Sequence, residues 1–387
     1  MKIKVPSYFK EFKCIASQCE DTCCAGWDIV VDEEAFNYYK MLDGAFGGMV
    51  KSKMVVDQDG DTIFKRENEN CPFLDDDKLC NIYKEVGHEG LCYTCRQYPR
   101  YQEEFEGLRE MGISLSCPEA ARMILKQDKI VFEIIQDDEI AVEDDRIDLK
   151  HFEMMYDCRA FMLKIIEDRE IPLNRRLAIL LKCVEALQEK IDFDEMNEIE
   201  EILKTYAEED FIETFVVQCN QVKLTEGDRA KVIRTCFTAY KELEHIHPND
   251  PLALETAINI LKLDEVTLEK VYNMNEQFNA VVDHAQDKLT NIASYFIFRY
   301  FMKGIFDYDF SAKIKFVCVS TLMIKQLVVV RWVQKGTLTE SDWVQISQGY
   351  SKDIEHLEQN IEVLEEMFEA EVEYHTDKLI DIILHLV

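Results

Sequence analysis

Residues 174–190 read NRRLAILLKCVEALQEK, and the spacing of their apolar side chains decides the fold class. Leu177, Leu180, Val184 and Leu187 recur at three and four residues with charged residues between them, the mark of a single apolar stripe on an amphipathic helix. The same interval returns in Ile354, Leu357, Ile361, Leu364 and Phe368. From about Arg122 onward glycine and proline are scarce and this periodicity persists, so the expectation is a mainly α protein with eight or more helices in that part. Pro172, the HPNDP segment at 247–251 and KGTLTESD at 335–342 read as helix ends, the last with Thr339 or Ser341 as the N-cap of a new helix. No tandem repeat or low-complexity segment is visible, which argues against a solenoid.

Toward the N-terminus the texture changes. Short apolar runs, WDIVVD at 27–32 and Met54–Val56, alternate with Gly, Asp and Pro, a pattern of loops, a little strand and short helices. DGAFGGMV at 43–50 has neither the GxGxxG nor the GxxxxGK spacing that cradles phosphate and reads as a turn. The expected organisation is an irregular cysteine-rich metal-binding N-terminal module, residues 1–122, packed on a multi-helical body, residues 123–387.

The chain has 387 residues, with 44 Lys and Arg against 76 Asp and Glu and a formal net charge of −32. That balance argues against a nucleic-acid or anionic-membrane partner, because nothing supplies the basic surface that phosphate neutralisation needs. The acids are spread along the chain, which suits solubility or the steering of a lysine-bearing protein substrate. No 18-residue uncharged apolar stretch occurs, since VVVRWV carries Arg331, and MKIKVPSYFKEFKC has no apolar run of signal-peptide length. The expectation is a cytoplasmic protein whose cysteines stay reduced.

Nine of the fourteen cysteines fall between Cys14 and Cys117. Cys14, Cys19, Cys23 and Cys24 form CxxxxCxxxCC; Cys71 and Cys80 flank Asp75, Asp76 and Asp77; Cys92 and Cys95 make a CxxC; Cys117 precedes Pro118. So many soft donors on segments too short to bury them point to zinc, copper(I) or an iron–sulfur cluster. The adjacent side chains of Cys23 and Cys24 leave the backbone in different directions, so one ligates while the other serves a second site, supports the first or stays a buried thiol. His88 is the one histidine in the first 120 residues, which tilts the reading from zinc toward iron–sulfur. Cys158, Cys183, Cys219, Cys236 and Cys318 lie singly in helical segments and read as core.

The run YFKEFKCIASQCEDTCCAGWDIVVD, then CPFLDDDKLCNIYKEVGHEGLCYTCRQYPR and SLSCPEAAR, resembles the flagellin lysine-N-methylase family over about Tyr8 to Arg122, and its inner pattern resembles a broader group of zinc- or iron-chelating cysteine domains. The resemblance implies methyl transfer from S-adenosylmethionine to lysine ε-amines of flagellin, with an iron–sulfur cluster (4Fe–4S; zinc as the alternative) taking part. It carries over to Cys19, Cys23, Cys24, Cys71, Cys80 and Cys95 as first-choice ligands and to Cys14, Cys92 and Cys117 as second choices.

The residues themselves limit the route. The CxxxCxxC of a radical S-adenosylmethionine enzyme is absent, because Gly26 stands where Cys19 and Cys23 would need their third partner. The glycine-rich turn of a Rossmann methyltransferase is missing as well. Glu20, Asp21, Trp27, Tyr93, Tyr98 and Glu119 lie beside the cysteines with faces or carboxylates suited to a cation, although a structural role is the commoner one for each. Arg96, Arg100 and Arg122 are suited to thiolates, to a cofactor carboxylate or, equally, to salt bridges with the acids nearby. The other class of function is a non-catalytic zinc- or iron-binding scaffold or carrier. Thiol redox chemistry at Cys92 and Cys95 lacks the βαβ setting it would need.

Overall fold

A computed structural model describes residues 2–387 except 59, 68–69, 106, 137–146, 209–210, 212–213, 216–223, 246–253 and 264–267. Cys219 and the HPNDP break at 247–251 lie outside the described residues. Among those described the protein is mainly helical, with sixteen α-helices. The stripe that opens the sequence reading lies on the Leu173–Asp192 helix, which starts directly after Pro172, and Leu177, Leu180, Val184 and Leu187 are all fully buried. Its neighbours include the Phe310–Lys335 helix, the longest, apolar on every side because other helices surround it. That helix is long and apolar enough to cross a membrane, yet 83% of its most apolar window is buried inside the protein. Cys158, Cys183, Cys236 and Cys318 are core residues.

The second stripe is divided. The chain leaves helical geometry at His356 and Leu357, so the residues from Ile354 to Phe368 fall on two helices, Glu340–Glu355 and Glu358–Ala370. Ile354, Leu364 and Phe368 are buried, whereas Leu357 and Ile361 are half-buried. Thr339 is the N-cap of the first of these helices: its hydroxyl accepts from the Asp342 amide at 3.3 Å while the Asp342 carboxylate accepts from the Thr339 amide at 2.9 Å, a capping box. Thr339→Ala is expected to cost about 0.5–2 kcal/mol of stability, read as a lower unfolding midpoint in urea. That helix carries Gln348, Lys352 and Glu355 toward the cysteine-bearing segments, so the cap also fixes part of the site.

The strands are more extensive than the apolar runs suggest. Strands β1 (Lys2–Pro6), β5 (Arg100–Phe105), β6 (Leu108–Ile113) and β7 (Phe132–Gln136) form a sheet of order β5-β6-β1-β7, in which β1 runs parallel to β6 and antiparallel to β7. Their register sets Lys4 opposite Glu110 and Ile134. A smaller sheet joins β2 (Ile29–Val30), β4 (Thr62–Phe64) and β3 (Met54–Val56). DGAFGGMV is not a turn: Gly44–Lys53 is helical. A β-carbon at Gly47 would stand 2.2 Å from the Leu42 carbonyl oxygen, so the glycine lets the helix close against the chain entering it.

Two clusters of buried apolar side chains result. A small one gathers Ile29, Val31, Tyr39, Phe64, Phe73 and Ile82 with Cys71 and Cys92. The large one runs from Tyr8 and Phe12 through the β5–β6 hairpin into all the long helices. In the large core Lys325 is a cation with little support. Its Nζ donates to the Val387 carbonyl at 3.1 Å, and burial lowers its pKa from 10.5 to about 7. Between those values the unfolded chain holds the proton more tightly, so this residue's contribution to stability improves as pH rises from about 7 toward 10.5, and below 7 its full burden is present. Stability is therefore expected to rise between about pH 7 and pH 10 in denaturant titrations, and Lys325→Met is expected to flatten that rise.

Candidate active site

The cysteine-bearing segments are tied together by short-range bonding. The Cys71 amide donates to the Cys24 carbonyl at 2.7 Å beside the Ala25–Asn70 bridge, which holds the first cysteine run against the second. The three aspartates form the turn expected of them: Asp75 Oδ1 accepts from the amides of Asp77 and Leu79, both at 2.9 Å, and a Leu74–Cys80 bridge brings Cys80 back toward Cys71. Asp32 links the next run. Its Oδ1 accepts from the Ala35 amide to start the Glu33–Met41 helix, and its Oδ2 accepts from the Tyr93 amide at 2.5 Å, next to Cys92.

This packing gathers Cys23, Cys24, Cys71, Cys80, Cys92 and Cys95 within electrostatic reach of one another. Cys71 feels Cys80, Cys92 and Cys23; Cys95 feels Cys92, Cys24 and Cys71. Cys24 donates to Cys23, and that bond is the main reason the Cys23 thiol falls to about 7 while Cys24 is pushed up. Cys95 donates to Cys92 in the same manner, lowering Cys92 and raising itself. Burial pushes the Cys71 thiol up to about 12. Cys117 is likewise buried and raised to about 12, and it faces Cys19 and Cys23, with Cys14 near Cys19.

Among the described residues no three His, Cys, Asp or Glu side chains already stand in a metal-holding arrangement. The donor chemistry nevertheless fits a thiophilic centre, since the converging groups are all sulfur. His88 is exposed and bonded to Glu89, away from them. Mutually facing thiols that would repel as thiolates are relieved when a cation shares their charge.

Beside the thiols lies a cavity of about 380 Å³ whose lining includes Trp27, Tyr93, Tyr98, Tyr101, Arg299 and Glu355. It shares chain with the cysteines: Trp27 Nε1 donates to the Cys23 carbonyl at 2.9 Å, and Tyr93 and Tyr98 flank Cys95. The Trp27 ring sits 5.9 Å from Tyr98 and 4.9 Å from His356, whose Nε2 shares a 2.8 Å hydrogen bond with Ser116. Deeper in, Glu355 accepts from Ser114 at 2.9 Å, Tyr295 at 2.7 Å and Ser351 at 2.5 Å and pairs with Arg299 at 3.1 Å. The Arg299 guanidinium lies 3.9 Å over the Tyr101 ring.

The residues singled out by proximity to cysteines thus separate. Trp27, Tyr93, Tyr98 and Arg100 line the cavity. Glu20 and Glu119 instead pair with Arg122, which also faces Glu340 at 3.4 Å, and Arg96 faces Glu34 at 3.5 Å. Asp21 is a latch: it accepts from Gln348 at 2.8 Å and from the buried Lys352 at 2.7 Å, holding the first cysteine run to the Glu340–Glu355 helix. Arg299, Glu355, His356 and Ser114 escaped sequence reasoning. Arg299 carried one signal, being the lone charge in the aromatic stretch SYFIFRYF.

The model of the family described as FliB lysine N-methylase C-terminal domain matches residues 159–380. A flagellar biosynthetic protein, FliU, of Salmonella muenchen is 30% identical over 132 residues, covering 31% of this chain and 75% of that protein. Lysine-N-methylases of Salmonella typhimurium and Salmonella choleraesuis are 30% and 31% identical over 132 and 133 residues. The match covers 31% of this chain and 31% of each of those two methylases. No solved structure matches the chain. With the family model covering more than half of its length, including the helices that supply Arg299 and Glu355, the chain belongs to the FliB lysine N-methylase family.

Proposed function

We propose that this protein transfers a methyl group from S-adenosylmethionine to lysine ε-amines of flagellin, in the cavity beside the thiols, with an iron–sulfur cluster held by those thiols. The observation that carries the reading is the shared construction of the two features: aromatic walls contributed by Trp27, Tyr93 and Tyr98 grow directly out of the cysteine runs. The relatives named as lysine-N-methylases support lysine methylation, and the one named as a flagellar biosynthetic protein supports a flagellar setting for it.

Aromatic faces attract a sulfonium or an ammonium through the ring quadrupole and keep water away from both. In such a site a lysine loses part of its preference for the charged form, which makes the nucleophilic neutral amine accessible. The nitrogen lone pair forms the new bond to the methyl carbon as the carbon–sulfur bond breaks; that pair stays on sulfur, giving S-adenosylhomocysteine, and the amine proton passes to solvent. The cluster ligands are drawn from Cys23, Cys24, Cys71, Cys80, Cys92 and Cys95, with Cys14, Cys19 and Cys117 as the outer group. When bound, the cluster supplies a redox-capable centre and fixes the loops that bear the aromatic wall.

Iron, zinc and acid-labile sulfide per chain, measured on protein purified without oxygen, test the cofactor. About four irons and four sulfides are expected for a cubane cluster. Stoichiometric zinc without sulfide would overturn it in favour of a zinc-stapled scaffold.

A further inference from the structure

The cavity is electropositive in its own side chains although the chain carries a net charge of −32: Arg100 and Arg299 line it against one carboxylate, Glu355. That carboxylate is already occupied by Ser114, Tyr295, Ser351 and Arg299, so it holds Arg299 in place and offers little to an incoming cation. Arg299 is not saturated in the same way. Its Nε donates to the Tyr300 hydroxyl at 3.0 Å and faces Glu355, whereas its buried Nη1 finds no acceptor among the described residues. A buried guanidinium N–H without an acceptor is costly, and of the arginines with such a nitrogen among the described residues (Arg159, Arg169, Arg176 and Arg299) Arg299 is the one that lines this cavity. Stacking on Tyr101 fixes the plane of the guanidinium, so the fork is oriented before anything binds.

We propose that Arg299, with Arg100 on the same lining, is the anion-holding residue of this site and receives the carboxylate of the methionyl part of S-adenosylmethionine. The inference rests on the methyltransferase reading above. It assigns the two ends of the ligand to opposite chemistry: the carboxylate goes to the guanidinium fork on the helical body, and the sulfonium goes to the aromatic faces on the cysteine runs. Arg96 and Arg122 do not line the cavity and are excluded from this role on that ground.

The test is calorimetric binding of S-adenosylhomocysteine and of its decarboxylated amine counterpart to the full chain purified without oxygen. The wild type is expected to prefer the carboxylated ligand by about tenfold or more. Arg299→Gln combined with Glu355→Gln, which removes both halves of the pair, is expected to equalise the two ligands. Arg299→Lys keeps the charge beside Glu355 without the fork, should fold where the double variant does not, and is expected to lose most of the preference. Undiminished preference in whichever variant folds would overturn the assignment of Arg299 while leaving the methyltransferase reading intact. A wild type that binds neither ligand would overturn that reading, and this inference with it.

Discussion

Serine at both Cys71 and Cys95 is expected to abolish binding of the proposed cluster and to lower methyl transfer by about 100-fold or more. The two thiols come from different runs, one before the aspartate turn and one within the CxxC, yet they lie within electrostatic reach of each other and of Cys24. Their loss takes one donor from each of two runs that the proposed cluster would join. Because metal affinity in such loops is also folding free energy, the double variant should lose thermal stability together with metal. Cys183→Ala supplies the contrast. Cys183 is fully buried on the Leu173–Asp192 helix, so this variant is expected to be less stable through its cavity yet to retain the metal in full. Metal content by mass spectrometry, measured beside activity, separates the two outcomes.

Removing Arg159 should have the largest effect on folding. Its side chain is fully buried and pairs through both terminal nitrogens with Glu110, whose side chain is 4% exposed, and it also donates to the Phe298 carbonyl at 3.2 Å. Glu110 belongs to β6 and Arg159 to the Leu149–Ile166 helix, so the pair fastens the four-stranded sheet to the bundle. Arg159→Met leaves a buried carboxylate without its guanidinium and is expected to cost about 3–5 kcal/mol in equilibrium unfolding. Arg159→Met with Glu110→Leu should recover most of that loss, because removing both charges also removes their desolvation. The same β5–β6 hairpin presents Tyr101 and Ser114 to the cavity, so the single variant should also bind S-adenosylhomocysteine more weakly.

Helices were legible where burial enforces a period. The Leu177 to Leu187 stripe could be read because each position faces core, and the start at Thr339 because a capping residue has its own local chemistry. The break at His356 was hidden because the apolar interval continues across it while the backbone does not. The Asp43–Val50 segment was misread for a related reason: glycine there serves close approach inside a helix instead of a turn.

Pairing between Lys2–Lys4 and Leu108–Glu110 joins segments more than a hundred residues apart, and no local pattern announces it. The site was half legible in the same sense. Cysteine spacing and nearby aromatics pointed to Trp27, Tyr93 and Tyr98, but Arg299 and Glu355 reach the cavity only through the packing of distant helices. Among the charged neighbours in sequence, Glu20, Glu119 and Arg122 satisfy one another, which is the structural alternative their surroundings offered.

We read the cavity built jointly by the cysteine runs and the helices as the place of methyl transfer to lysine. Its most direct measurement incubates flagellin with protein purified without oxygen and S-adenosylmethionine labelled in its methyl group, then hydrolyses the flagellin and separates its amino acids. Label is expected in N-methyl-lysine and is expected to be absent when Trp27→Ala removes the aromatic face. Unlabelled lysine from a preparation with its full complement of metal would contradict it.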